Sequence, residues 1–517
     1  MTACAQPALG DSRQPAETAT GRPPRREVLA VFSLLAAIFI LNLITATRFP
    51  VVWIDEVMYT DPAANLALGK GFTSTAWYDQ ASERFWADNV PLHEIVLSGW
   101  IRLFGFSATA VRAINYFWFG LGTFLVWLAC TRFGWIKNSR LRLVSLVLLA
   151  FGSSISFSYR SGRSDMICYF LCAAALCATS IRPAGRRYGL LLGLGFLFPW
   201  AGMQVLPLLV IITGLILVFW GWRAAANGIV AGLGAGLGLL GLCVFYQSHG
   251  AWGSFVASMV LNQSGAVAKT YAHGQITALP SVFLRDRSAP FLILLGIVLL
   301  LHAWKNRNAP AMKIFLFALA AGVGIPITLH FSGVFPIYYG WMAALPVTLA
   351  LCHGLSRQPI GSFWLKSLAV ILLAGAIGIG FPTRFTMAAL YLKGTSYPAM
   401  EQFVSGQLNA ADIAYIDFTA FYPARRSAGN IFTRRYLEYA MTADEKKSVT
   451  ALVIAPHDLP SITNAIPGRW QLVAAFHEDV PATNPPAFST RKKRAAFAPY
   501  ELAVYRRGLE NLPQASQ

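Results

Sequence analysis

Eleven apolar stretches, each near the length that crosses a lipid bilayer and most of them joined by short basic loops, leave this chain few folds to adopt. A helix of about 20 apolar residues spans about 30 Å of hydrocarbon. Such runs occur at 28–45, 108–131, 141–158, 166–181, 225–246, 289–304, 313–331, 338–353 and 364–382. A further run, 189–220, is too long for one helix and is interrupted by Pro199 and Pro207, so it reads as two. With 56% of its 517 residues hydrophobic and 13% charged, the chain reads as a polytopic α-helical membrane protein. The net charge of +19 does not point to nucleic acid: most Lys and Arg lie between apolar runs rather than on one face of a soluble domain. Basic loops mark the inner side of a membrane. Residues 1–27 read as a disordered cytoplasmic leader, 28–390 as the membrane domain and 391–517 as a tail that an odd span count places outside.

The acidic residues are concentrated on the outer side. Nine lie between Val28 and Leu390, and seven of these fall in the segment 51–107: Asp55, Glu56, Asp61, Asp79, Glu83, Asp88 and Glu94. Trp53, Trp77, Trp86 and Trp100 alternate with charges there, the pattern of interfacial helices. Asp79, Glu83 and Asp88 have no pattern around them and fit an ordinary solvated loop. Asp55 and Glu56 follow the first span directly, and carboxylates at a membrane face are costly enough to be functional as a rule. Tyr59 stands one helical turn beyond them.

Other outward-facing positions carry cations. The turn YRSGRSD supplies Arg160, Arg163 and Asp165, and Arg is suited to bidentate phosphate contact. The loop 247–288 supplies Lys269 and Arg285. The seven Cys have no zinc-type spacing, so neither a disulfide framework nor a structural metal is expected. From about Tyr391 the apolar runs shorten to strand length in ADIAYIDF, TALVIAP, WQLVAAF and YELAVYRR, with a helical stretch between the first two. The tail therefore reads as a small α/β domain outside the membrane.

The segment WIDEVMYTDPAANLALGKGF, followed by NVPLHEIVLSGWIRLFGFSATAVRAIN, resembles the GT-C glycosyltransferases, in particular the bacterial relatives of protein O-mannosyltransferases and lipid A aminoarabinose transferases. The resemblance covers the first 180 residues by motif and the rest by hydropathy. Val90 stands where the family usually has the first Pro of a Pro-Pro-Leu segment, and the basic residue often found before it is missing. The resemblance implies a GT-C fold of about eleven transmembrane helices with a small C-terminal extracytoplasmic α/β domain. It also implies an inverting transfer of a sugar from a polyprenyl-phosphate donor to a lipid, glycan or protein acceptor, at the periplasmic face of a bacterial inner membrane. No cofactor, metal or nucleic acid is called for.

Such a transfer needs a base for the acceptor proton and cations for the leaving phosphate. Asp55 is the expected base, partly desolvated beside Trp53, with Glu56 and Asp165 as the other catalytic carboxylates; Glu56 is expected either to orient Asp55 or to pair with an Arg or Lys in a structural role. Tyr59, His93, Arg160, Arg163, Lys269 and Arg285 are the expected substrate-binding residues. A solute transporter would instead show an internal repeat and helices broken at mid-membrane. An O-antigen ligase or polymerase would carry its large loop late in the chain.

Overall fold

A computed structural model describes residues 23–48, 50–77, 83–264, 275–332, 339–390, 396–477 and 500–508. The expected leader up to residue 22, Asp79 and Lys269 lie outside the described residues.

All eleven apolar stretches are helical. The helices that position the site are α1 (Arg25–Ile44), α2 (Ile54–Ala67), α3 (Leu92–Phe104), α4 (Ala108–Phe133), α5 (Ser139–Phe151), α6 (Ser153–Arg160) and α7 (Asp165–Ala178). Among the described residues, four helices are long and apolar enough to cross a membrane by themselves: α1, α4, Trp222–Ser248 and Ala309–Phe331. Two bent pairs raise that number to six, one being α5 with α6, which meet at 56°. Asp165–Ala178, Val205–Trp220 and Phe363–Gly378 are apolar but shorter.

The first helices are held together near one end by a buried ion pair. Glu27 in the first turn of α1 accepts from Arg142 Nε at 2.6 Å and Nη2 at 2.5 Å, and from Trp127 Nε1 at 2.8 Å. In the helix pair Ala184–Ala201 and Trp222–Ser248 the backbones touch. A Cβ on Gly195 would lie 2.1 Å from Ala231 O, and one on Gly234 2.1 Å from Leu192 O. The contact stripe runs through Gly234, Gly238 and Gly241, while Gly232 and Gly236 face open space. The loop 247–288 is partly helical, over Trp252–Ser264 and Leu279–Arg285.

The tail forms a five-stranded mixed sheet. Its strands are β1 (Ile413–Ile416), β2 (Asn430–Thr433), β3 (Ala451–Ile454), β4 (Trp470–His477) and β5 (Glu501–Arg507), in the order β2-β1-β3-β5-β4. β1 pairs in parallel with β2 and β3, while β5 runs antiparallel to β3 and β4. The four runs read from the sequence are β1, β3, β4 and β5; β2 is an additional strand of only four residues.

Alternation along the central strands covers both faces of the sheet. Tyr415, Leu452 and Ile454 join one apolar cluster with Phe432 and Tyr436. Ala414, Ile416, Ala451 and Val453 join another that also contains Val57, Ala63 and Ala64 of α2 and Val111 and Ile114 of α4. The tail therefore has a core of its own on one face of the sheet and shares the core on the other face with the first loop segment. Helix α2 is in consequence buried continuously from Glu56 to Asn65, where an interfacial helix with one open face was expected.

Candidate active site

Asp55 and Glu56 occupy the first turn of α2, where the partial positive charge of a helix N-terminus favours carboxylates. Successive helical residues point about 100° apart, and these two have different partners. Glu56 is fully buried, accepting from Arg112 Nε at 2.7 Å and Nη2 at 2.5 Å, and from Tyr422 Oη at 2.8 Å. Arg112 also donates through Nη1 to Pro50 O at 2.8 Å. Gly162, at φ +70°, leaves room for this arrangement: a Cβ there would lie 2.5 Å from Glu56 Cγ. Glu56 thus joins α2, α4 and the tail through the pairing with an arginine that was one of its two expected roles.

Asp55 is held from the opposite side. Its Oδ2 accepts from Arg163 Nη1, and its carboxylate makes no other hydrogen bond to the described residues, so Oδ1 stays available. Arg163 Nε donates to Asp165 Oδ2 at 2.9 Å, and Nη2 lies 3.3 Å from Tyr339 Oη. The guanidinium also lies over the rings of Tyr59 and Tyr339, 5.0 and 5.7 Å from their centres. Gly340 fixes Tyr339 by close approach: a Cβ there would lie 2.6 Å from Ser154 Cβ. Trp53 Nε1 donates to Ser161 O at 2.8 Å, tying the start of α2 to the turn that carries Arg163. The neighbouring acids Glu56 and Asp165 have no exposed side-chain surface, whereas the side chain of Asp55 is 22% exposed.

This geometry changes the expected role of two arginines. Arg163 spends its fork on two carboxylates and a phenol, a geometry that holds the Asp55 carboxylate in one orientation. Arg160 is buried against the end of α1, donating from Nη1 to Thr45 Oγ1 at 3.0 Å and from Nη2 to Thr45 O at 3.1 Å, and also to Asn42 Oδ1. It fastens α6 to α1 and does not line an open cleft. Arg285 ends its helix half-buried, and the adjacent Asp286 is the residue that reaches inward, accepting from Ser154 Oγ at 2.6 Å.

Behind Tyr59 lies a poorly satisfied polar group of residues. Tyr59 Oη accepts from Asn89 Nδ2 at 2.9 Å, and burial raises the phenol pKa to about 12. His93 packs edge-on to the Tyr59 ring at 6.3 Å between centres, and neither ring nitrogen has a hydrogen-bond partner among the described residues. Burial and the charge of Arg163 hold its pKa down at about 3, so it is neutral. Both Glu94 oxygens are likewise buried without partners, and burial raises that carboxyl well above its ordinary range. Among the described residues no group of three or more His, Cys, Asp or Glu is placed to hold a metal ion.

No family model matches the sequence, and no curated protein does. The fold itself is matched. The structure of ArnT from Cupriavidus metallidurans bound to undecaprenyl phosphate aligns with 94% of this chain and 99% of its own, at 12% identity and a TM-score of 0.60. ArnT in the apo state aligns with 93% of this chain and 98% of its own, at 13% identity and a TM-score of 0.55. The chain has the GT-C glycosyltransferase fold. The oligosaccharyltransferase of Archaeoglobus fulgidus is less similar, at 11% identity over 85% of this chain and 70% of its own, with a TM-score of 0.49.

Within the GT-C fold, sequence reasoning missed Tyr339 and Tyr422. Arg112 falls within the segment NVPLHEIVLSGWIRLFGFSATAVRAIN that carried the resemblance, where it had no partner. An arginine in the first turn of an otherwise apolar span signals a buried partner by itself, and that partner is Glu56.

Proposed function

We propose that the protein is an inverting glycosyltransferase that moves a sugar from a polyprenyl-phosphate donor onto a hydroxyl or amine of a lipid, glycan or protein acceptor. The observation that carries this reading is the partly exposed carboxylate of Asp55, held by Arg163 on one oxygen and open on the other. An acceptor O–H or N–H donates to Oδ1 of Asp55 and gives up its proton there as the acceptor atom attacks the anomeric carbon. The bond from that carbon to the phosphate oxygen breaks on the opposite face, polyprenyl phosphate departs, and the configuration inverts. A positioned base contributes a factor of about 10² to 10⁴.

Arg163, held in turn by Asp165 and Tyr339, keeps the Asp55 carboxylate in one orientation. The leaving phosphate needs cations besides Arg163; Lys269 and Arg285 of the outer loop are those we assign to it. A polyprenyl-phosphate donor is supported by the ArnT structure of the same fold, which holds undecaprenyl phosphate. We place the reaction at the periplasmic face of a bacterial inner membrane, with the tail on the same side.

Mass spectrometry of lipid and glycan extracts tests this reading. A deletion strain is compared with strains carrying the wild type or Asp55→Asn. One glycosylated species should disappear on deletion and return only with the wild type. Identical extracts from all three would remove the transferase reading.

A further inference from the structure

A second polar site lies where the first outer segment meets the sheet domain. A cavity of about 280 Å³ opens there, lined by Asn65, Lys70, Thr73, Arg425 and Asn430 among others. It is separate in composition from the Asp55 site, since none of Asp55, Tyr59, Arg163, Asp165 or Tyr339 lines it.

Two of its lining groups are buried and incompletely satisfied. Arg425 is 3% exposed; its Nε lies 3.5 Å from Asp61 Oδ1, yet neither Nε nor Nη1 makes a hydrogen bond among the described residues. Asn65, also 3% exposed, donates through Nδ2 to Thr73 O at 2.9 Å and leaves Oδ1 without a partner. A buried polar group without a partner costs about 1–3 kcal/mol, more when charged. Groups of this kind lining a cavity fit a ligand that completes them.

The chemistry of the lining narrows the ligand. Lys70 Nζ stands at the mouth, using one donor on Gly429 O at 2.8 Å. Desolvation there and the like charge of Arg425 both lower its pKa. Asp61 faces Arg425 through Oδ1 while its Oδ2 accepts from Ser74 Oγ and Thr75 N at 2.8 Å each, so its charge offsets one of the two cations and leaves the other. Two cationic donors face the cavity together with the hydroxyl and amide groups of Thr73, Asn65 and Asn430 and the exposed carboxylate of Glu83, and among the described residues no aromatic or aliphatic side chain lines it. The cavity volume fits a single sugar ring rather than a lipid chain.

We propose that this cavity binds a monosaccharide unit bearing a carboxylate or phosphate, with Arg425 and Lys70 on the anion and Asn65, Thr73 and Asn430 on ring hydroxyls. That the saccharide belongs to the acceptor rests on the transferase reading; the binding itself does not. Because Lys70 and Gly429 come from opposite walls, occupancy also braces the first outer segment against the sheet domain.

The test is ligand protection of Lys70 in the full chain purified in detergent, quantified as amine acylation by peptide mass spectrometry. The probes are glucuronate, glucose 6-phosphate, inorganic phosphate and glucose. Saturable protection by one or both anionic sugars, at concentrations at least tenfold below those needed with inorganic phosphate or glucose, is the expected result. Arg425→Gln should abolish it. Should that variant fail to fold, Asn65→Ala, which keeps both cations, should weaken protection by the sugars and leave that by phosphate unchanged. Equal protection by inorganic phosphate and the anionic sugars would reduce the site to a non-selective anion contact, and no protection by any probe would show that it binds no such ligand. Either result overturns the proposal. Protection that persists in Asp55→Asn, a variant inactive under the transferase reading, keeps this outcome distinct from the fate of that reading.

Discussion

Replacing Glu56 by Ala separates a structural carboxylate from a catalytic one. In the native structure its oxygens receive two hydrogen bonds from Arg112 and one from Tyr422, all within 2.8 Å, and neither side chain of the ion pair is more than 1% exposed. Truncation removes the anion and strands the Arg112 guanidinium among Pro50 O, Ala46 O and apolar side chains. Breaking a buried pair from one side costs about 3–5 kcal/mol. Tyr422→Phe loses only the neutral donor to Glu56, and the loss of such a bond costs about 1–3 kcal/mol. Joint replacement, Glu56→Met with Arg112→Met, removes both charges and should recover much of the stability, since buried pairs exchange for apolar residues at little net cost.

Thermal unfolding in detergent, together with hydrogen exchange of the peptides containing β1 and α2, measures the effect. The order of stability should be wild type, Tyr422→Phe, the double variant close to either, and Glu56→Ala lowest, with exchange increased in both peptides. A Glu56→Ala protein that unfolds at the wild-type temperature but has lost all transfer would refute the argument, because Glu56 would then act on substrate and not on the fold.

Further expectations concern the site and the topology. Tyr339→Phe removes the 3.3 Å contact with Arg163 Nη2 and should lower kcat several-fold with little change in KM for the donor, measured by steady-state kinetics. His93 has a folded pKa near 3 against an ordinary 6.5, so the unfolded chain binds the extra proton first. Its contribution to stability is therefore complete above pH 6.5 and falls as the pH drops toward 3, and the wild-type minus His93→Leu difference in unfolding midpoint should shrink or reverse over that window. The raised Glu94 carboxyl acts in the opposite direction and cancels in the difference. Phosphatase fusions after residues 80, 270 and 420 should be active and those after 137 and 186 inactive; an inactive fusion at 420 alone would show that the span count has the wrong parity.

Asp55 was legible in the sequence because the signal is local: an acidic pair directly after a membrane-length apolar run. The apolar helices were legible for the same reason, and so was the alternation in four of the five strands. Partners at long range were not. Glu56 meets Arg112 across 56 residues and Tyr422 across 366, and no spacing in the chain reveals either contact. Arg160 and Arg163 stand three apart in one polar turn, and only the packing of α6 on α1 sends the first to Thr45 while the second meets Asp55. The strand β2, four residues after a short helix, is too brief to show alternation and forms because β1 offers it an edge.

The central claim is that Asp55 takes the acceptor proton, and the rate of the purified Asp55→Asn enzyme tests it most directly. The amide keeps the size of the carboxylate but cannot accept a proton. The variant should insert, unfold near the wild-type temperature and bind the polyprenyl-phosphate donor, while transfer falls by a factor of about 10² to 10⁴. Transfer at more than about a tenth of the wild-type rate, a loss far smaller than removal of a base produces, would contradict the assignment and make Asp165 the carboxylate to examine.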